Sequence, residues 1–66
     1  MNIPEKIAVW LDGGTDRELV IWRDSADYGR WRAGLKPDGD TRLMLGRIGI
    51  GGTASEAVNN IQAVLD

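Results

Sequence analysis

The sequence predicts an α+β domain: a four-stranded antiparallel sheet, in the chain order ββββα, with one C-terminal helix packed on one face. Three observations carry that prediction. Apolar residues recur at every second position in three separate runs, a fourth apolar run follows, and clusters of Gly, Asp and Pro divide them. The last stretch then changes to steps of three and four behind a helix-start signal.

The first run, residues 6–12, sets Ile7, Val9 and Leu11 against Ala8 and Trp10, a period of two that makes a strand with two different faces. Asp12-Gly13-Gly14-Thr15-Asp16 turns the chain. Residues 18–24 repeat the alternation, with Leu19 and Ile21 on one side and Val20 and Trp22 on the other, so the two runs are expected to pair as a hairpin. After the polar turn Asp24-Ser25-Ala26-Asp27, residues 28–35 alternate Trp31, Ala33 and Leu35 with Arg30 and Arg32, which makes a third strand. Lys36-Pro37-Asp38-Gly39-Asp40 places proline where φ is preset and glycine where φ can be positive, a second reverse turn. Residues 42–50 are the expected fourth strand, in which Gly46 and Gly49 suggest a bulge or a close backbone approach.

Gly51-Gly52 ends that strand. Thr53 and Glu56 stand three residues apart, as in a capping box, where each side chain satisfies a free backbone N–H at the helix start. The expected helix covers residues 54–65. Its stripe is Ala54, Ala57, Val58, Ile61, Val64 and Leu65, against Ser55, Glu56, Asn59, Asn60 and Gln62.

With 66 residues the chain is read as one domain, and a core this small leaves a thin stability margin. It has no cysteine and no histidine, so neither a disulfide nor a thiolate or imidazole metal site is available, and the usual proton shuttle at neutral pH is missing. A formal charge of −2 argues against generic affinity for nucleic acid or anionic membrane. Apolar content of 42% with 27% charged residues fits a globular domain. No apolar run approaches the roughly 18 residues of a membrane span, and the start Met1-Asn2-Ile3-Pro4-Glu5-Lys6 lacks the pattern of a signal peptide; a cytoplasmic location is expected.

Gly49-Ile50-Gly51-Gly52-Thr53-Ala54 satisfies the dinucleotide fingerprint G-x-G-x-x-A after a strand and at a helix start. That fingerprint needs a further parallel strand and an acidic residue about 20 positions on, and Asp66 follows Ala54 too closely to supply them, so a glycine-rich strand exit is expected and no cofactor. Asp38-Gly39-Asp40 has no further ligand at EF-hand spacing, and Asp12 and Asp16 carry the same objection; no metal site is expected. Ser25, Ser55, Thr15, Thr41 and Thr53 would have to act as nucleophiles with only Lys6, Lys36 or a carboxylate as base. An enzyme is not expected, and no catalytic residue is assigned.

Binding is the expected activity. A helix of twelve residues is ~18 Å long and shields one face of a sheet, not both. Its Ala, Val, Ile and Leu stripe favours the aliphatic face (Ile7, Val9, Leu11, Leu19, Ile21), which leaves Trp10 and Trp22 outward; parity alone leaves the opposite arrangement open. Arg30-Trp31-Arg32, with Tyr28 just before and Arg23 on the preceding strand, gathers guanidinium groups near aromatic rings, the residue types enriched at binding hot spots. The alternative for these arginines is cross-strand pairing with Asp24, Asp27 or Glu18. Trp10, Trp22, Arg23, Tyr28, Arg30, Trp31 and Arg32 are therefore the candidate partner-binding residues.

The stretch Gly52-Thr53-Ala54-Ser55-Glu56-Ala57-Val58-Asn59-Asn60-Ile61 resembles the helix start of HicB-like antitoxin domains, although the proline and glycine segment of that family's second strand is absent here. The resemblance implies a curved antiparallel sheet that neutralises a small toxin protein. The leading expectation is a non-enzymatic protein-binding module or inhibitor, of the small acidic kind that phages and mobile elements encode. The alternatives are a homodimer formed through the sheet, and a binder of single-stranded nucleic acid using the arginine and tryptophan cluster.

Overall fold

The computed structural model describes residues 3–44 and 46–61, which form a three-stranded antiparallel sheet with a helix at each end of the chain order. The elements are α1 (Glu5–Asp12), β1 (Glu18–Asp24), β2 (Arg30–Lys36), β3 (Gly49–Gly51) and α2 (Ala54–Asn59). The sheet order is β1-β2-β3, so β2 is central.

The expected strand at residues 6–12 is a helix, and its hairpin with β1 does not exist. Eight residues containing Ile7, Val9, Trp10 and Leu11 satisfy both periods; the helical one wins because Ile7, Trp10 and Leu11 share a stripe that reaches the core, while Val9 is 64% exposed. Pro4 stands at the N-cap with φ −54°, and Glu5 puts a carboxylate in the first turn, where the helix dipole favours it. At the other end the Gly13 N–H donates to the Val9 and Trp10 carbonyls at 3.1 and 3.2 Å. Arg17 adds a bond from Nη1 to the Trp10 carbonyl at 2.7 Å and stacks its guanidinium 4.8 Å from the Trp10 ring centroid.

β1 and β2 form the expected alternation in register, with Leu19 opposite Leu35, Ile21 opposite Ala33 and Trp22 opposite Arg32. The expected fourth strand at residues 42–50 shrinks to the three residues of β3. Asp40 Oδ1 accepts from the Arg42 N–H at 2.9 Å, and Arg47 N–H donates to the Met44 carbonyl at 3.2 Å around Gly46, whose φ is +83°. Each of these closes a turn where a strand would need extended backbone. Ahead of β3, Met44 donates its N–H to the Leu35 carbonyl at 2.9 Å.

The C-terminal helix begins as expected. Thr53 Oγ1 accepts from the Glu56 N–H at 3.1 Å, and the Glu56 carboxylate reaches back to the Gly52 N–H at 3.2 Å, one residue earlier than the simple box. α2 ends at Asn59 with Asn60 as C-cap, and Val64 and Leu65 of the expected stripe, with Gln62 of its polar side, lie outside the described residues. Asn60 Nδ2 donates to the Ile50 carbonyl at 2.9 Å, tying the helix end to the outer strand.

The core is Ile7, Ala33, Leu35, Ala57, Val58 and Ile61, with Trp10, Leu11, Leu19, Ile21, Trp31 and Met44 packed around it. α2 thus takes the aliphatic face of the sheet. The close seat of α2 on β3 depends on two glycines: a Cβ on Gly49 would collide with the Ala57 carbonyl oxygen and come within 2.7 Å of the Ile61 nitrogen, and one on Gly51 would lie 2.5 Å from Glu56 Cβ. Both obstacles involve the body of the helix, so neither can swing away.

Gly49→Ala is expected to lower stability by about 3 kcal/mol, the upper range for overpacking. Gly52→Ala, where a Cβ would meet only the flexible Glu56 carboxylate at 3.8 Å, is expected to stay within about 0.5 kcal/mol of the parent. Thermal unfolding followed by circular dichroism compares the two.

Candidate binding surface

The sheet has one covered and one uncovered face, and the register assigns each side chain to one of them. Leu19, Ile21, Arg23, Trp31, Ala33 and Leu35 point to the helix side. Glu18, Val20, Trp22 and Asp24 from β1, Arg30, Arg32, Gly34 and Lys36 from β2, and Ile50 from β3 point away from it. Across the middle of this outer face runs one row, Trp22 opposite Arg32 and Arg32 opposite Ile50.

Part of the outer face is roofed by the chain itself. Gly34 is buried without a side chain, and a Cβ there would meet Leu43 Cδ2 at 3.2 Å and Ile48 Cγ1 at 3.6 Å, so these two side chains lie over the sheet beside Val20. What lies beyond them is the row Trp22, Arg32 and Ile50, with Val20 at its border. Val20 and Trp22 are half-buried, and Ile50 is 38% exposed.

Arg32 is held in place. Its Nε donates to Asp24 Oδ2 at 3.0 Å and its Nη2 to Asp27 Oδ2 at 2.9 Å. Asp24 also accepts from the Ala26 N–H at 3.0 Å through Oδ1, and the main chain closes the β1–β2 connection by Asp27 N–H to Asp24 carbonyl and Arg30 N–H to Asp27 carbonyl. The arginine of the open row therefore braces the hairpin loop. Arg23, on the covered side, donates from Nε to the Gly29 carbonyl at 3.1 Å with its guanidinium 6.0 Å from the Trp31 ring centroid.

The expected site residues fall into four places. Trp22, Arg30 and Arg32 share the outer face. Arg23 and Trp31 pair across β1 and β2 on the helix side. Tyr28 stands at the hairpin tip, 95% exposed. Trp10 belongs to α1 and is engaged by Arg17, so the expected shared face of Trp10 and Trp22 is corrected: α1 removes Trp10 from the sheet altogether. None of the three tryptophans is among the fully buried residues. Ile50, Leu43, Ile48 and Gly34 were missed; a glycine in mid-strand was the available signal, since it marks a position where something else must approach closely.

The second acidic turn has structural partners for both Asp38 and Asp40. Asp38 Oδ1 accepts from Arg17 Nε at 3.0 Å, and among the described residues no three His, Cys, Asp or Glu gather in a way that could hold a metal ion. No described helix is long and apolar enough to cross a membrane. No protein-family model, curated protein or solved structure matches the chain, so the HicB resemblance is carried by Gly52–Ile61 alone.

Arg32→Gln is expected to cost about 1 kcal/mol, because its partners are partly solvated and the pair is screened. The more specific effect is local: amide exchange at Ala26 and Arg30 is expected to accelerate while the core amides of β2 stay protected.

Proposed function

We propose that this chain is a non-enzymatic binding module that recognises a protein through the outer face of its sheet, occluding a site on that partner. The observation that carries it is the open row Trp22–Arg32–Ile50, apolar side chains on both sides of a fixed guanidinium on the part of the outer face beyond Leu43 and Ile48. Aromatic and arginine side chains held in position lose little entropy on contact, which is why they dominate binding energies. A protein is favoured over a nucleic acid because Arg32 is already neutralised by Asp24 and Asp27, so the row offers stacking surface without the track of free cations that a phosphate chain needs.

Self-association through the same face has one specific feature in its favour. The face carries opposite charges side by side at both ends, Glu18 with Lys36 and Asp24 with Arg30. A second copy related by a two-fold axis along the strands would set β1 over β2, with each carboxylate above a cation.

Trp22→Ala and Ile50→Ser are each expected to weaken the complex by about 2 kcal/mol while circular dichroism shows an unchanged fold. Unfolding of both variants would assign the row to the core instead. Sedimentation across a concentration series separates the two partners: a monomer at all concentrations leaves the face to another protein, and a concentration-dependent dimer lost in Trp22→Ala assigns it to a second copy.

A further inference from the structure

The β1–β2 hairpin ends in a tyrosine where the backbone least favours one. Tyr28 has φ +52°, in the left-handed region where a Cβ crowds the following carbonyl, and it is followed by Gly29 at φ +72°. The tyrosine residue is 95% exposed. The fold gains almost no burial from the ring, and Asn or Gly would sit in that conformation with less strain. The conformation is nevertheless enforced from several sides, by the two main-chain bonds across Asp24, Asp27 and Arg30, by Arg32 gripping both aspartates, and by Arg23 holding the Gly29 carbonyl. A strained residue held by its surroundings without benefit to the free domain points to a contact outside it.

The charge around the tip narrows what that contact is. Arg32 neutralises Asp24 and Asp27 only in part by number, and the remaining cations are Arg30, which makes no ion pair among the described residues, and Arg23, whose hydrogen bond goes to a neutral carbonyl. The tip is therefore a basic spot on a chain whose formal charge is −2. From this we infer that Tyr28 is the anchor of a recognition loop that seats its ring in an apolar pocket of a protein partner edged by carboxylates, with Arg30 and Arg23 meeting those carboxylates. This inference rests on the protein-binding function proposed above and names the partner's chemistry. One exposed ring with two flanking guanidiniums fits such a pocket better than a nucleic-acid strand, which needs successive stacking platforms along a cationic groove.

The test uses the intact folded chain against a random-peptide library displayed on phage, with oligothymidylate at low salt as a second probe. Peptides combining apolar and acidic residues are expected to be enriched, and their capture to fall at least tenfold in Tyr28→Ala and Arg30→Ala. Tyr28→Asn is expected to lose capture equally while its unfolding midpoint rises by about 4 °C, since it relieves left-handed strain in a small domain. A midpoint that does not rise removes the strain on which the inference stands. Peptides lost only in Trp22→Ala overturn the tip as anchor and leave the sheet face as the binding surface. Oligothymidylate binding abolished in Tyr28→Ala replaces the protein partner with a nucleic acid, and a selection that enriches nothing above a heat-unfolded control overturns both the tip and the proposed function.

Discussion

The seat of α2 on β3 is the contact from which the remaining architecture follows. Helix and sheet ordinarily meet through side chains, but Gly49 and Gly51 remove those side chains from the strand, and the main chain of α2 comes down almost onto β3. Ala57 and Val58 are then close enough to reach Ala33 and Leu35 on the central strand, and Ile61 and Ile7 complete a core with no exposed member. Two of the glycines that satisfy a dinucleotide fingerprint, Gly49 and Gly51, serve here to seat the helix on the strand. A core this small cannot spare any of its members, because stability is a narrow difference between burial and chain entropy.

Around that core the chain uses arginines as braces. Arg17 joins the end of α1 to the loop after β2 through the Trp10 carbonyl and Asp38, and Arg32 joins β2 to the hairpin loop through Asp24 and Asp27. Individually such partly exposed pairs contribute little net stability. Their value lies in geometry: each fork-shaped guanidinium reaches two acceptors at separate positions of the chain and so adds a directed link between them. Of the arginine cluster, Arg32 takes the alternative of pairing with Asp24 and Asp27, Arg23 bonds a backbone carbonyl instead, and Arg30 is left outward.

Much of the sheet was legible because β1, β2 and the Thr53 cap each satisfy local rules that agree with the tertiary structure. The parity of residues 28–35 already put Trp31 beside Ala33 and Leu35 and opposite to Arg30 and Arg32. Residues 6–12 admit both readings because seven positions are too few to separate a period of two from one of 3.6 when Ile7, Val9, Trp10 and Leu11 are all apolar. Pro4 was the discriminating letter, since it favours the first positions of a helix and contributes nothing to a strand ladder. On a strand Trp10 would share a face with Trp22; with residues 5–12 helical, the two sit on separate elements. The fourth strand failed at Gly46 and at the Asp40 side chain, where local turns outcompete a ladder that only Met44 and β3 extend. The roof of Leu43 and Ile48 over Gly34 had no local signature, because it joins residues that only the folded chain brings together.

That roof bears on why an apolar row stays outward at all. A helix of six residues is ~9 Å long and can shield only one side of the sheet, and the chain covers the rest with what it has, a loop folded over a glycine. The loop reaches the Val20–Gly34 row and stops short of Trp22–Arg32–Ile50. A charged residue at Trp22 or Ile50 would serve a bare surface equally well in the free domain, whereas an indole and an isoleucine there leave apolar area in water. Between them stands an arginine whose charge is cancelled and whose position is set by the loop that carries Tyr28. The row and the tip are thus two ends of one braced unit, and a partner contacting both would meet a surface already ordered, with the entropy of arranging it spent during folding.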